Sequence, residues 1–183
     1  MKSLLMNATS GNKTPRQLER SIRQSTDRPM KFRRGIVAIS LVGIAAMGVV
    51  SLLQTGLVRH LPDPPTKKPD FDSDKVNTSR EAYSYGMPDA PLTIAAHAVT
   101  LAIAAAGPAD RYRDRPWLPL LAALVALPQA AVAGRYLFHQ MPKVDKAWCP
   151  WCVVDALTHF ATVALTVPEA LKAGRSLMPK CAI

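Results

Sequence analysis

GIVAISLVGIAAMGVVSLLQTGL, residues 35–57, holds 23 positions without a single charge. Roughly 20 such residues cross the hydrocarbon core of a bilayer, so this stretch reads as a membrane span. Nine Lys or Arg precede it, from Lys2 to Arg34. A basic flank of that kind is the mark of the cytosolic side. The charged leader is too long for a secretory signal, and no small-x-small cleavage pattern follows the apolar run. The span is therefore expected to be retained.

Three weaker apolar blocks follow, at about 90–107, 117–138 and 151–171. They are rich in Ala and interrupted by His97, Gln129, Asp155 and His159. Each alone could be a buried helix of a soluble protein. Behind a strong first span they read as helices of a membrane bundle, where small residues let backbones approach closely. The expected fold is all-α: a four-helix transmembrane bundle with a long outer loop between helices 1 and 2. Residues 1–34 form a basic flank, 35–171 the membrane domain and 172–183 a tail.

The net charge of +10 raises the question of nucleic acid. The cations cluster before the first span, few aromatics are interleaved and no nucleic-acid motif appears, so a membrane flank is the better reading. Counted by side, fifteen Lys or Arg lie on the flank, the 108–116 loop and the tail, and eight lie on the other connections. Both termini are therefore expected in the cytosol.

The 58–88 connection breaks helices at Pro62, Pro64 and Pro65, and Asp72 or Ser73 is placed to cap a short helix. Thr14 opens a second candidate helix in the flank. Pro128 should kink the third span. Residues 141–148 read as a short loop.

That loop leads to Trp148-Cys149-Pro150-Trp151-Cys152. Cysteines at i and i+3 share one helical turn and can form a disulfide. Pro150 suits the first helical position. The helix N-terminus lowers a thiol pKa. The pair reads either as a redox dithiol or as a static staple. Structural zinc is a poor fit, because two sulfurs lack a second ligand pair. On the charge count the pair faces outward, away from the cytosol; in a bacterium that is the periplasm, which favours disulfide chemistry.

Asp155 and His159 lie one and two turns below Cys152. Ionisable groups inside a span usually face the bundle interior. They read as a proton path or a ligand contact, or else as a satisfied packing pair; His97 is read the same way. Trp148 and Trp151 read as interfacial anchors, and Arg135 and Lys143 as solvated rim charges. Cys181 has no sequence partner and reads as an inert tail thiol.

Taken together, the CxxC and the loop pattern resemble the vitamin K epoxide reductase family. Ser73-Asp74-Lys75-Val76-Asn77-Thr78-Ser79, followed by Gly86-Met87-Pro88, is similar to the family's Cys-x-x-Val-x-Ser-Ser and Gly-aliphatic-Pro run. The resemblance is to a bacterial-type member and spans roughly residues 35–171. It implies a membrane thiol–disulfide oxidoreductase with Cys149 and Cys152 as its catalytic pair. Cys152 would face a quinone substrate, with Asp155, His159 and His97 as its contacts or proton path, and Cys149 would exchange disulfides, with no metal required.

The chain departs from the family at two places. Ser73 stands where the second loop cysteine belongs, and the loop has no cysteine at all. Ala156 stands where some members place a quinone-contacting tyrosine. The resemblance thus implies the bilayer, a membrane quinone, and a thioredoxin-like thiol protein or other membrane subunits as partners, in the inner membrane of a bacterium. A different class of function also stands at this point: a non-catalytic structural or assembly subunit of a larger membrane complex.

Overall fold

A computed structural model of the chain describes residues 13–66 and 69–177. Cys181, the outer parts of both termini, and Lys67 and Lys68 lie outside the described residues. Among the described residues the fold is helical, and the one β-type contact is an isolated bridge between Phe71 and Trp148.

Helix α1 (Pro15–Gln24) begins at a reciprocal cap: the Thr14 hydroxyl accepts from the Gln17 N–H, and the Gln17 side chain accepts from the Thr14 N–H. Helix α2 (Arg28–Gln54) contains the strong apolar run but starts seven residues before it, because Asp27 and Pro29 supply a helix start there. It ends where Gly56 takes a φ of 77°. Helix α3 (Ser73–Asn77) is capped by Asp72, whose carboxylate accepts from the Lys75 N–H at 2.9 Å. A short 3-10 turn (Glu81–Tyr83) leads to α4 (Asp89–Ala105). Helix α5 (Arg111–Asp114) is a single turn before α6 (Trp117–Arg135), which contains Pro128. Helix α7 (Pro150–Leu177) completes the chain.

Two boundaries differ from the sequence reading. The span placed at 117–138 and the loop placed at 141–148 are joined: α6 continues as a π-helical segment, Tyr136–Asp145, ending at Lys146 with φ 52°. Periodicity could not show this, since a wider helical turn absorbs Pro142 and the polar residues without breaking the chain direction. Helix α7 also runs beyond 171, to Leu177.

Three helices are long and apolar enough to cross a membrane: Arg28–Gln54, Trp117–Asp145 and Pro150–Leu177. Helix α4 is apolar but has only 17 residues. Helix α2 packs on α4 and on α7, and α7 packs on α6. Helices α4 and α6 meet much less closely. The core gathers Met47, Val50, Val76, Met141 and both cysteines of the CxxC pair.

Polar groups lock one end of the bundle. Arg33, 2% exposed, donates to the carbonyls of Ala104, Ala106, Gly107 and Pro108 at 2.8–2.9 Å, satisfying the C-terminal end of α4. Arg111, read from sequence as part of a basic surface loop, is 1% exposed. Its guanidinium grips the Glu169 carboxylate through two hydrogen bonds of 3.0 and 2.8 Å.

Candidate functional site

Cys149 stands immediately before α7, and its carbonyl accepts the first helical bond from the Val153 N–H at 3.0 Å. That makes it the N-cap. Its Sγ takes the role an N-cap oxygen normally plays, accepting from the Cys152 N–H at 3.2 Å. The two sulfurs lie 2.7 Å apart as free thiols. Cys149 is fully buried and Cys152 is 6% exposed.

The 55–88 connection is stitched over this pair. The Asp72 N–H donates to the Trp148 carbonyl at 2.9 Å, and the Trp148 N–H donates to the Asp70 carbonyl at 2.8 Å. Asp63 accepts from both the N–H and the hydroxyl of Ser73, at 2.8 and 2.5 Å. The position expected to hold a shuttle cysteine is thus a hydroxyl tied to a carboxylate. Next to it, Asn77 reaches both sulfurs at 3.3 Å. Sequence reading saw Asn77 only as a spacer in the loop pattern, because a short loop helix gives no signal of what its last residue touches.

Burial alone would push the Cys149 thiol up. The Cys152 side chain beside it, the Asn77 amide and the Cys152 N–H outweigh it and bring the group down to about 7.

Beneath Cys152 lies a cavity of about 530 Å³. Cys152, Asn77, Tyr136, Asp155, Ala156 and His159 line its inner wall. Leu92 and Thr93 of α4 and Gln129 and Val132 of α6 line it where those two helices diverge. Tyr136, the first residue of the π-helical segment, brings a buried hydroxyl with no hydrogen-bond partner to this cavity. Arg135 also lines it, while Lys143 is exposed away from it. Trp148 and Trp151 are half-buried against the core cluster.

His97, read from sequence apart from the others, joins Asp155 and His159. His97 Nε2 is 2.7 Å from one Asp155 oxygen, and His159 Nε2 is 3.6 Å from the other. The two imidazoles stack with centroids 4.3 Å apart and planes within 12°. Gly43 makes room for them: a Cβ there would sit 2.2 Å from His97 Nε2. The three donor atoms lie within 4.8 Å of one another, which raises the question of a metal. Stacking answers against it, since one ion cannot lie in the plane of two parallel rings while bonding both at about 2 Å. His97 Nδ1 is buried and unpartnered.

A helical membrane bundle with adjoining thiols at the head of a cavity defines a class: a membrane protein equipped for thiol–disulfide chemistry. The chain matches the model of the vitamin K epoxide reductase family over residues 35–167, and it belongs to that family. Membership makes it a membrane thiol–disulfide oxidoreductase in type, of a family linked to quinones in general. No curated protein and no solved structure matches it.

Proposed function

We propose that the Cys149–Cys152 dithiol exchanges electrons with a membrane quinone held in the cavity. The observation that carries this reading is the cavity itself: Cys152 lines it, and it opens between apolar faces of α4 and α6. A lipid-soluble ring with an apolar tail suits such a shape better than a charged metabolite does. The same open space opposes a purely structural role, in which side chains would fill it.

The exchange is balanced with two thiols and one quinone. Cys152 bonds through sulfur to the quinone ring, and its proton passes to a ring oxygen. The Cys149 thiolate attacks that sulfur, the disulfide forms, and the sulfur–ring bond breaks with its electron pair going to the ring. The quinone leaves as the quinol after taking a second proton, the one Cys149 lost on becoming a thiolate. Asp155 and His159 lie on the wall and would offer a ring oxygen hydrogen bonds and protons, with His97 behind them bonded to Asp155. The reverse direction uses the same atoms.

The other half of the cycle joins Cys149 to an external thiol: a thioredoxin-like protein, or a cysteine of another membrane subunit. Cys149 lies under α3, so such a partner reaches it when the 55–88 connection lifts.

For topology, we take α2, α4, α6 and α7 as four spans with both termini cytosolic and the dithiol outward. Burial of Arg33 and Arg111 removes two charges from the cytosolic count, and thirteen against eight keeps the same direction. Helix α4 is about 26 Å long at 1.5 Å per residue. That is a small mismatch with a core of about 30 Å, which a bilayer accommodates by local thinning.

The test is anaerobic mixing of the reduced full-length protein, in detergent, with a short-chain ubiquinone or menaquinone analogue. Quinone absorbance should fall in step with the loss of two thiols, and Cys152→Ser should abolish it. Quinone left unreduced, with both thiols still free, refutes the reading.

A further inference from the structure

Asn77 is the residue of the site whose role the chemistry above does not use. It is 1% exposed. Its Nδ2 donates to the Ser73 carbonyl at 2.7 Å. A backbone carbonyl can only accept, so the amide nitrogen must face it, and the orientation of the side chain is fixed. The second N–H on that nitrogen is then directed at Cys149 Sγ, 3.3 Å away, and Oδ1 faces Cys152 Sγ at 3.3 Å. An amide oxygen cannot donate, so the proton in the second contact belongs to Cys152.

The two sulfurs are thereby made unlike. Cys149 Sγ receives an N–H from Asn77 and the backbone N–H of Cys152. Cys152 gives its one thiol proton to Asn77. Asn77 does not depend on the sulfurs for its place: its own carbonyl accepts from Gln54 Nε2 at 3.2 Å, and α3 holds it from the other side.

We propose that Asn77 is a catalytic residue that divides the work of the two sulfurs, holding Cys149 as the thiolate that closes the disulfide and Cys152 as the protonated thiol that meets the quinone. The assignment rests on the reading that the dithiol is redox-active. Where the family places a cysteine on this loop, the chain has Ser73, and four residues on it supplies an amide. The loop then contributes hydrogen bonds to the dithiol in place of a sulfur. In disulfide closure, Asn77 stabilises the attacking sulfur before the S–S bond forms. In the opposite direction, it stabilises the same sulfur as the leaving thiolate.

The test is the midpoint potential of the dithiol in the full-length protein, equilibrated with dithiothreitol redox buffers from acidic to alkaline pH. Free thiols are trapped after acid quenching and counted by mass. The slope of potential against pH changes at the first thiol pKa, whether or not the sulfur is accessible. The wild-type break is expected near pH 7. Removing a hydrogen bond to a charged group should move the break in Asn77→Ala up by about one unit. Asn77→Asp, which keeps the shape and puts a carboxylate beside Cys149, should move it at least as far. If Asn77→Ala does not fold, Asn77→Ser and Asn77→Asp carry the measurement.

A break that stays at the wild-type pH in folded variants overturns the assignment, since a merely structural Asn would alter melting alone. A wild-type dithiol that breaks near pH 7 but does not reduce quinone refutes the quinone reading and leaves Asn77 standing.

Discussion

The two halves of the bundle bury ionisable side chains in opposite ways. At the start of α2 and the end of α7, Arg33, Arg111 and Glu169 are packed with every guanidinium nitrogen engaged: four carbonyls for Arg33, a two-pronged carboxylate and two carbonyls for Arg111. At the other half, Asp155 and His159 line a cavity, and His97 is bonded to Asp155. The Tyr136 hydroxyl that lines it has no partner, and neither does the buried Nδ1 of His97. Burial of charge is costly in both places. The first arrangement spends its hydrogen-bonding capacity on holding helices together. The second keeps capacity in reserve for something that enters.

The sharpest way to break that contrast is Arg111→Ala. It leaves the Glu169 carboxylate buried without its cation, so the expected loss is about 3–5 kcal/mol, read as melting of the protein in detergent. Whatever fraction still folds should keep the redox behaviour of its dithiol. A stable Arg111→Ala protein with altered thiol chemistry would dissolve the distinction between the two halves.

Gly43→Ala tests the cavity half from behind. The added Cβ would stand 2.2 Å from His97 Nε2, inside the ring rather than against a flexible tip. The ring must shift or the helices must part, at about 1–3 kcal/mol. Because His97 is held by Asp155, this variant should also slow the quinone reaction. Melting and stopped-flow traces on the same preparation check both effects.

How far this was legible beforehand differs between the halves. The first span, the CxxC at a helix start and the polar Asp155 and His159 all follow from local spacing and composition. The Asp72 cap of α3 does too. Packing across helices was hidden. Nothing in the sequence near Arg111 distinguishes it from Arg113, yet one is buried against Glu169 and the other lies on a surface turn. Nothing ties His97 to Asp155 except that Gly43 clears the space between two helices. Asn77 was invisible for the same reason: its meaning lies in two sulfurs 72 and 75 residues away. Helix α4, at 17 residues, also shows that a bundle helix can fall short of the length that makes a span plain from hydropathy.

A smaller effect concerns the reduced dithiol itself. Cys149 is held at about 7 in the folded protein, below an ordinary thiol of about 8.5. The favoured form is the anion. The resulting stability is fully present above the ordinary thiol value and is lost as pH falls through 7, on the order of 2 kcal/mol in all. The disulfide form has no such proton. The melting temperature of the reduced protein, relative to the oxidised one, should therefore fall between pH 8.5 and 6. A constant gap would mean that Cys149 is not a thiolate at the site.

The smallest expected change in stability belongs to Asp155→Asn, and it separates the halves most cleanly. An amide is nearly the size of the carboxylate and can both accept from one imidazole and donate to the other, so the loss should stay under about 1 kcal/mol. The chemistry should respond quite differently. A carboxylate that holds and passes protons to a quinone oxygen is worth on the order of 10²–10⁴ in rate, and the amide cannot take its place. Asp155→Asn should thus melt like the wild type while the quinone reaction slows by that range, with the thiol potential unmoved. Glu169→Gln, the matched change at the other half, should weaken the fold and leave the rate per folded molecule alone. If the two substitutions instead gave the same pattern, Asp155 would be a packing group like Glu169, and the cavity would have to find its protons elsewhere.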